Sequence, residues 1–348
     1  MTGEGPDSAD PLSEALAGLR IVDLTRLLPG PLATLRLAQW GADVLKVEDP
    51  GEGDGARALW RTGAEAEAGE PGAFYRRLNA GKRVLRLDLR SDAGKAMLLD
   101  ELRSADALVE GFRPGVMARL GLGFETVSAH NPKLVMVSIS GYGQHGPWAQ
   151  RAGHDINYIA MAGLLEQVAS GGGEIALPNF QVGDLLGGSQ AALSALLAAL
   201  LAARRTGRGC HLDISMAHEV LRHQVVVRTA LEALGRVPPA GRDLLSGGAP
   251  CYGVYRTADG RHLAVGALEL KFWQAVCATL GRPQWERRHW SLGEAPGSEP
   301  AMALRAELQA LLATQPLAHW VQVFDTVDAC VTPVLRLDEA LRHPLFAG

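Results

Sequence analysis

Two short glycine-containing segments each carry one acid/base side chain: Gly153-His154-Asp155-Ile156-Asn157-Tyr158 and, thirty positions on, Val182-Gly183-Asp184. An imidazole titrates near neutral pH and a carboxyl well below it. Two proton carriers of different chemistry facing one carbon can take a proton from one side and return one on the other. Inverting a stereocentre requires that arrangement. Each residue also has a plainer reading. Ten histidines are present, and a histidine is structural or solvated far more often than catalytic. His154 stands apart because it lies in a loop beyond a sheet strand, where ligands bind in open α/β sheets. Asp184 precedes Gly187-Gly188 and a long apolar run, and pattern alone favours a helix N-cap there.

Other chemistry-bearing patterns are weaker. Gly141-Tyr142-Gly143-Gln144-His145-Gly146 fits G-x-G-x-x-G after a strand, but Pro147-Trp148 stands where a helix would open. A dinucleotide site also needs a following strand with an acidic residue, and none is visible, so a plain turn is the better reading. No phosphate loop with Lys-Ser/Thr is present. Ser194, Ser215 and Cys210 lack the strand-turn-helix context of a nucleophile elbow. His218 and His223 are five apart, with His211 nearby but no acidic third ligand, so no metal site is expected.

The elements that must hold these side chains alternate. Leu19 to Leu24 reads as a strand, and Pro29-Gly30-Pro31 breaks it. Leu32 to Trp40 follows as a helix stopped by Gly41, then Asp43 to Glu48 as a strand. A helix opens at Ser91-Asp92 and ends near Ser104. Asp106 to Gly111 and Leu134 to Ser140 are strands, Asp184 to Arg205 is helical, and His211 to Ser215 is another strand. Alternating strands and helices predict a parallel sheet covered on both faces. Met216 to Leu234 reads as one helix. Character changes at Val237-Pro238-Pro239 and Ser246-Gly247-Gly248-Ala249-Pro250. Short strands follow at Tyr252 to Arg256 and His262 to Ala267, then helices at Lys271 to Leu280 and Ala301 to Thr314.

The expected fold class is therefore α/β: a Rossmann-like parallel-sheet large domain over residues 19–215 plus a smaller α+β domain over 251–330. Residues 1–18 are expected to be a disordered lead-in, and 216–250 a linker helix with a Gly-rich loop.

Composition bounds the function. With 348 residues, 47% of them hydrophobic and 21% charged, the chain can bury cores for about two domains. A net charge of −4 argues against nucleic acid as the main partner. The most apolar run, Ala195 to Ala203, is about half of what a membrane crossing needs, so no membrane partner is expected. Cys210, Cys251, Cys277 and Cys330 lie far apart without Cys-x-x-Cys spacing, so free thiols in a reducing cytoplasm are expected. The acidic first 18 residues do not read as a signal peptide.

Taken in order and spacing, the segments GLRIVDLTRLLPGP, GADVLKVEDPG, LDLRSDAG, VEGFRPGVMARLGLG, SGYGQHGPW, AGHDINYIA, VGDLLGG, GGAPCYGVY and VGALELKF are similar to CoA-transferase family III (the CaiB/BaiF superfamily). Within it they most resemble the α-methylacyl-CoA racemases. The resemblance runs from Leu16 to about Phe346. It implies the family fold, an interlocked homodimer, an acyl-CoA thioester as substrate, and no permanently bound cofactor, with coenzyme A arriving as part of the thioester. It implies that Asp184 and His154 are the acid/base pair, and that Glu269 approaches the site from the second subunit. It assigns coenzyme A contacts to Leu87, Asp88, Leu89, Arg90, Gly111, Phe112, Arg113, Arg119, Gly153, Asp155, Ile156, Asn157 and Tyr158. Arg90, Arg113 and Arg119 suit phosphate chemistry, since guanidinium binds phosphate bidentately.

Ser246-Gly247-Gly248-Ala249-Pro250 resembles the racemase form rather than the Gly-rich flap of the transferases. Cys251 stands where an aromatic is usual, and Gly253 at a commonly acidic position. The resemblance reads residues 331–348 as the start of a segment returning to the large domain and cut short. The activity implied is epimerisation of a 2-methylacyl-CoA through an enolate, with a backbone N–H near Asp184 as the expected donor to its oxygen. The alternatives are CoA transfer between carboxylic acids through an acyl-Asp184, and acyl-CoA binding without turnover.

Overall fold

The computed structural model describes residues 10–169 and 173–346. The chain forms two compact units. Among the described residues, the larger takes 10–165 and 177–225, and the smaller takes 166–169, 173–176 and 226–346.

The larger unit is built on six parallel strands: β1 (Arg20–Asp23), β2 (Asp43–Glu48), β3 (Arg83–Arg86), β4 (Ala107–Glu110), β5 (Val135–Ser140) and β6 (His211–Ser215), in the order β3-β2-β1-β4-β5-β6. Alternate residues along each strand face opposite sides. Ile21, Val44, Val109, Val137 and Ile139 go to one face, against Leu37 of α1 (Pro29–Gln39) and Leu193, Leu196 and Leu200 of α5 (Gly183–Thr206). Val22, Leu45, Leu108 and Met136 go to the other, against Leu98 and Leu102 of α2 (Asp92–Leu102) and Val127 of α3 (Phe124–His130). Leu98 and Leu102 are fully buried, each contributing about 2 kcal/mol of transfer free energy. Between α3 and α5 lies the short α4 (Asp155–Met161).

α5 is long and apolar enough, by length and composition, to cross a membrane. Here its inner face, from Ala192 to Ala203, is packed in the core. Its first two turns, Gly183–Gln190, are wound as a π-helix before regular α-winding takes over.

A buried charged network fixes the loop after β1. The Asp23 carboxylate accepts from the backbone N–H (2.8 Å) and hydroxyl of Thr25, from the Thr34 hydroxyl (2.6 Å) and from Lys82 Nζ (3.1 Å). Burial pushes its pKa up, but Lys82, Lys46 and the two hydroxyls together bring it down to about 2.

The smaller unit has a three-stranded antiparallel sheet of β7 (Tyr252–Arg256), β8 (His262–Gly266) and β9 (Val331–Pro333). Around Trp273, Leu304, Leu308, Trp320 and Phe324 it packs α8 (Leu270–Thr279), α9 (Glu299–Leu312) and α10 (Leu317–Phe324).

Several expectations are corrected. Met216 to Leu234 is two helices, α6 (Met216–His223) and α7 (Val225–Leu234), broken at Gln224, whose amide donates to Ala162 O at 2.6 Å. Residues 11–18 of the expected disordered lead-in form turns, with Leu16 against the sheet core and its N–H on Trp40 O (2.7 Å). Residues 1–9 lie outside the described residues. Val331–Pro333, read as part of a returning segment, is a strand of the smaller sheet. β3 was not foreseen because Arg-Val-Leu-Arg is a solvent-facing edge with no apolar run.

Candidate active site

The strand order places β1 beside β4, with the connections from these two strands leaving in opposite directions. In such sheets a crevice opens beyond the carboxyl ends at that switch point. A cavity of about 330 Å³ lies there. Its walls are Thr25 to Leu27, Pro29 and Gly30 after β1, and Gly111 to Pro114 after β4. Ser140 and Gly141 end β5, and Arg151, Gly153, His154, Tyr158 and Asp184 close it.

His154 is the N-cap of α4, its backbone extended. Its N–H donates to Asn157 Oδ1 (3.0 Å), and its carbonyl accepts from the N–H groups of Asn157 (2.8 Å) and Tyr158 (3.3 Å). The Tyr158 hydroxyl donates to Gly153 O. These bonds tie the His154 backbone to the start of the helix while its side chain stays exposed.

Asp184 is not an N-cap. It lies in the first turn of α5, after Val182 as the capping position, and makes no side-chain capping bond. The neighbouring segment holds it: the Asp155 carboxylate accepts from the Asp184 N–H at 2.9 Å. A Cβ on residue 183 would sit 2.9 Å from that same Asp155 oxygen, so glycine lets the two segments close up without moving that carboxylate. One carboxylate thus joins the His154 segment to the Asp184 segment.

Burial pushes the Asp184 pKa up, and the like charge of Asp155 pushes it further, to about 7. Asp155 is also raised by burial. Close to neutrality Asp184 therefore exists in both protonation states, as a group that must both donate and accept a proton requires.

The turn after β4 is set by Glu110, only 3% exposed, whose Oε2 accepts from Phe112 N–H at 2.7 Å. Burial pushes the pKa of this carboxyl up to about 7, despite hydrogen bonds from Ser138 and Phe112. Glu110 was missed in the sequence, although an acidic residue ending an apolar strand is a usable signal.

A second cavity, about 670 Å³, adjoins the first along the strand ends and shares Arg26 and Phe112 with it. It contains Leu87, Asp88, Leu89, Arg90 and Phe112. Gly111, Arg113, Gly153 and Tyr158 line the first cavity instead. Arg26, which sequence reading did not single out, stands where the two meet. Its guanidinium lies 5.7 Å from the Phe112 ring centre and 3.0 Å from Asp49.

The remaining sequence-derived positions are elsewhere. Asp155, Ile156 and Asn157 line neither cavity; Asp155 and Asn157 brace the two acid/base segments, and Ile156 is exposed. Arg119 ends the short helix Val116–Arg119 and lines neither cavity. Glu269 is an exposed residue at the N-cap of α8 in the smaller unit. All four cysteines are free thiols. Among the described residues, no three His, Cys, Asp or Glu side chains group as metal ligands.

The sequence model of CoA-transferase family III matches residues 16–348. Alpha-methylacyl-CoA racemase from Homo sapiens is 35% identical over 333 residues, covering 94% of this chain and 80% of that protein. Acetyl-CoA:oxalate CoA-transferase from Acetobacter aceti is 32% identical over 334 residues, covering 95% and 83%. Among solved structures, a CAIB/BAIF family protein from Brucella suis superposes with a TM-score of 0.80 at 25% identity, covering 96% of this chain and 87% of that one. A hypothetical protein from Mycobacterium tuberculosis superposes with a TM-score of 0.79 at 29% identity, covering 96% and 88%.

Proposed function

The chain belongs to CoA-transferase family III, and on that premise we propose that it epimerises 2-methylacyl-CoA thioesters by moving the α-proton. The observation that carries this reading is that His154 and Asp184 line one cavity while burial lifts Asp184 to about 7. The thioester acidifies the α-C–H. His154 takes that proton from one face, leaving an enolate, and protonated Asp184 supplies one to the other face. The roles reverse for the opposite isomer. Each acid/base group is worth about 10²–10⁴-fold.

The donor to the enolate oxygen is expected among the backbone N–H groups near Asp184. Of these, that of Asp184 is engaged by Asp155 at 2.9 Å and that of Leu185 by Gln181 O at 2.8 Å. Arg113 and Arg151, which line the same cavity, are the cations that offset the developing charge. Coenzyme A enters as part of the substrate, with Arg26 and Arg90 facing its phosphates and adenosine in the larger cavity. The working unit is a homodimer in which Glu269 serves the site of a second copy. Its basis is the family resemblance, and Glu269 is exposed.

The deciding experiment incubates the protein with (R)-2-methylacyl-CoA in D₂O and follows the α-carbon by NMR and chiral analysis. Deuterium uptake with loss of chirality supports the reading. His154→Ala and Asp184→Ala should each reduce exchange by about 10²–10⁴-fold while CoA binding persists; retained inversion in both variants sinks it.

A second reading, CoA transfer between carboxylic acids through an acyl-Asp184, is favoured by one observation. The Asp184 carboxylate accepts no hydrogen bond among the described residues that would hold it back from attack. Hydroxylamine would then trap an Asp184 adduct that an epimerase does not form.

A further inference from the structure

The smaller unit has its own cavity, about 660 Å³, between the sheet and the start of α9. Much of its wall is apolar, including Leu245, Val254, Val265 and Met302, and Ser246 and Thr332 add hydroxyls. Arg305 is the one charged side chain in that lining. Its guanidinium lies 4.9 Å from the Tyr255 ring centre, and Nη2 makes a single long hydrogen bond, 3.4 Å, to Val254 O. Nη1 is buried and has no partner, and among the described residues no carboxylate pairs with Arg305. The seat for this cation is made by the absence of a side chain: a Cβ on residue 253 would lie 2.1 Å from Nη1.

Arg305 is half-buried, with one nitrogen buried and unpartnered and no counter-ion, and pairing such a group with an anion satisfies that nitrogen. A mostly apolar cavity with a few polar groups converging on one place is the usual form of a small-molecule site. We propose that this cavity binds an organic carboxylate with an alkyl body, its charge on Arg305 and its carbons against Leu245, Val254 and Met302. The inference is independent of the reaction at His154 and Asp184. The carboxylate comes as a free acid.

The test uses the full chain with CoA present, so that the phosphate-binding arginines are filled, and titrates sodium hexanoate and hexanamide by calorimetry. Hexanoate should bind at least about tenfold more tightly than the neutral amide, as expected for one charge-assisted contact, and weaken as salt rises. Arg305→Met should remove the preference, and Arg305→Lys should keep part of it. Asp184→Asn should leave it unchanged, which separates this site from the epimerase reading. Equal hexanoate and hexanamide binding in the wild-type chain overturns the proposal, whether or not the variants fold. Preferences that survive Arg305→Met also overturn it.

Discussion

Replacing Asp184 with asparagine should remove inversion and, at the same time, strengthen the fold above neutral pH. The Asp184 carboxyl is lifted from 3.8 to about 7 in the folded protein, by burial first and Asp155 second. Its folded pKa lies above its unfolded one, so the folded state holds the proton more tightly. Between these two values each unit of rising pH therefore favours the unfolded chain. The full shift of about three units corresponds to about 4 kcal/mol of destabilisation at alkaline pH, at 1.36 kcal/mol per unit. Solvent at the open side of the cavity reduces this to about 1–2 kcal/mol. Asparagine has nearly the same shape and carries no charge to desolvate. The backbone bond from residue 184 to Asp155 remains, and no side-chain hydrogen bond is lost. Urea unfolding of both proteins at about pH 5.5 and about pH 8.5 isolates the effect, because every other titrating group is common to the pair. The variant should gain about 1 kcal/mol on the wild type between these two conditions, while α-proton exchange falls by about 10²–10⁴-fold. A variant that is less stable at pH 8.5, or whose stability follows pH as the wild type does, would refute the assignment of Asp184 as a desolvated acid.

Three further outcomes follow from the same geometry. Asp155→Asn keeps an oxygen to accept the Asp184 N–H but removes the like charge, so the Asp184 limb of the pH–rate profile should move to lower pH; an unmoved limb would show that burial alone sets it. Lys82→Met strands the Asp23 carboxylate inside the network that holds the loop after β1, and should cost about 3–5 kcal/mol in chemical denaturation; a cost below about 1 kcal/mol would mean the network does not hold that loop. Arg26→Ala removes a cation from the place where the two cavities meet. It should weaken CoA binding by about tenfold in titration at low salt, with a smaller loss at high salt; no loss would place the phosphates elsewhere.

The sequence of the larger unit was legible wherever local pattern and final environment agree. Strand β5 read correctly because its run Val135 to Ile139 is buried on both faces. The start of α2 was marked by Ser91, which caps it by accepting from Gly94 N–H at 3.0 Å. β3 and β9 were invisible because each is short and partly exposed, so pairing with a neighbouring strand, and no pattern of its own, makes it a strand.

For the site, the residue types of His154 and Asp184 and the glycines beside them were present in the chain from the start, and family resemblance supplied their pairing. By itself the sequence determined which acid/base groups exist, that strands and helices alternate, and that a long apolar helix follows Asp184. Only the tertiary structure decided that Asp184 lies within that helix rather than capping it. It also decided that Asp155 bridges the two segments, that Arg26 stands between the cavities, and that Arg305 is left without a counter-ion. These depend on which groups meet across long separations in the chain and on how much water folding removes around them. A pKa or an unpaired charge is a property of that environment rather than of the residue.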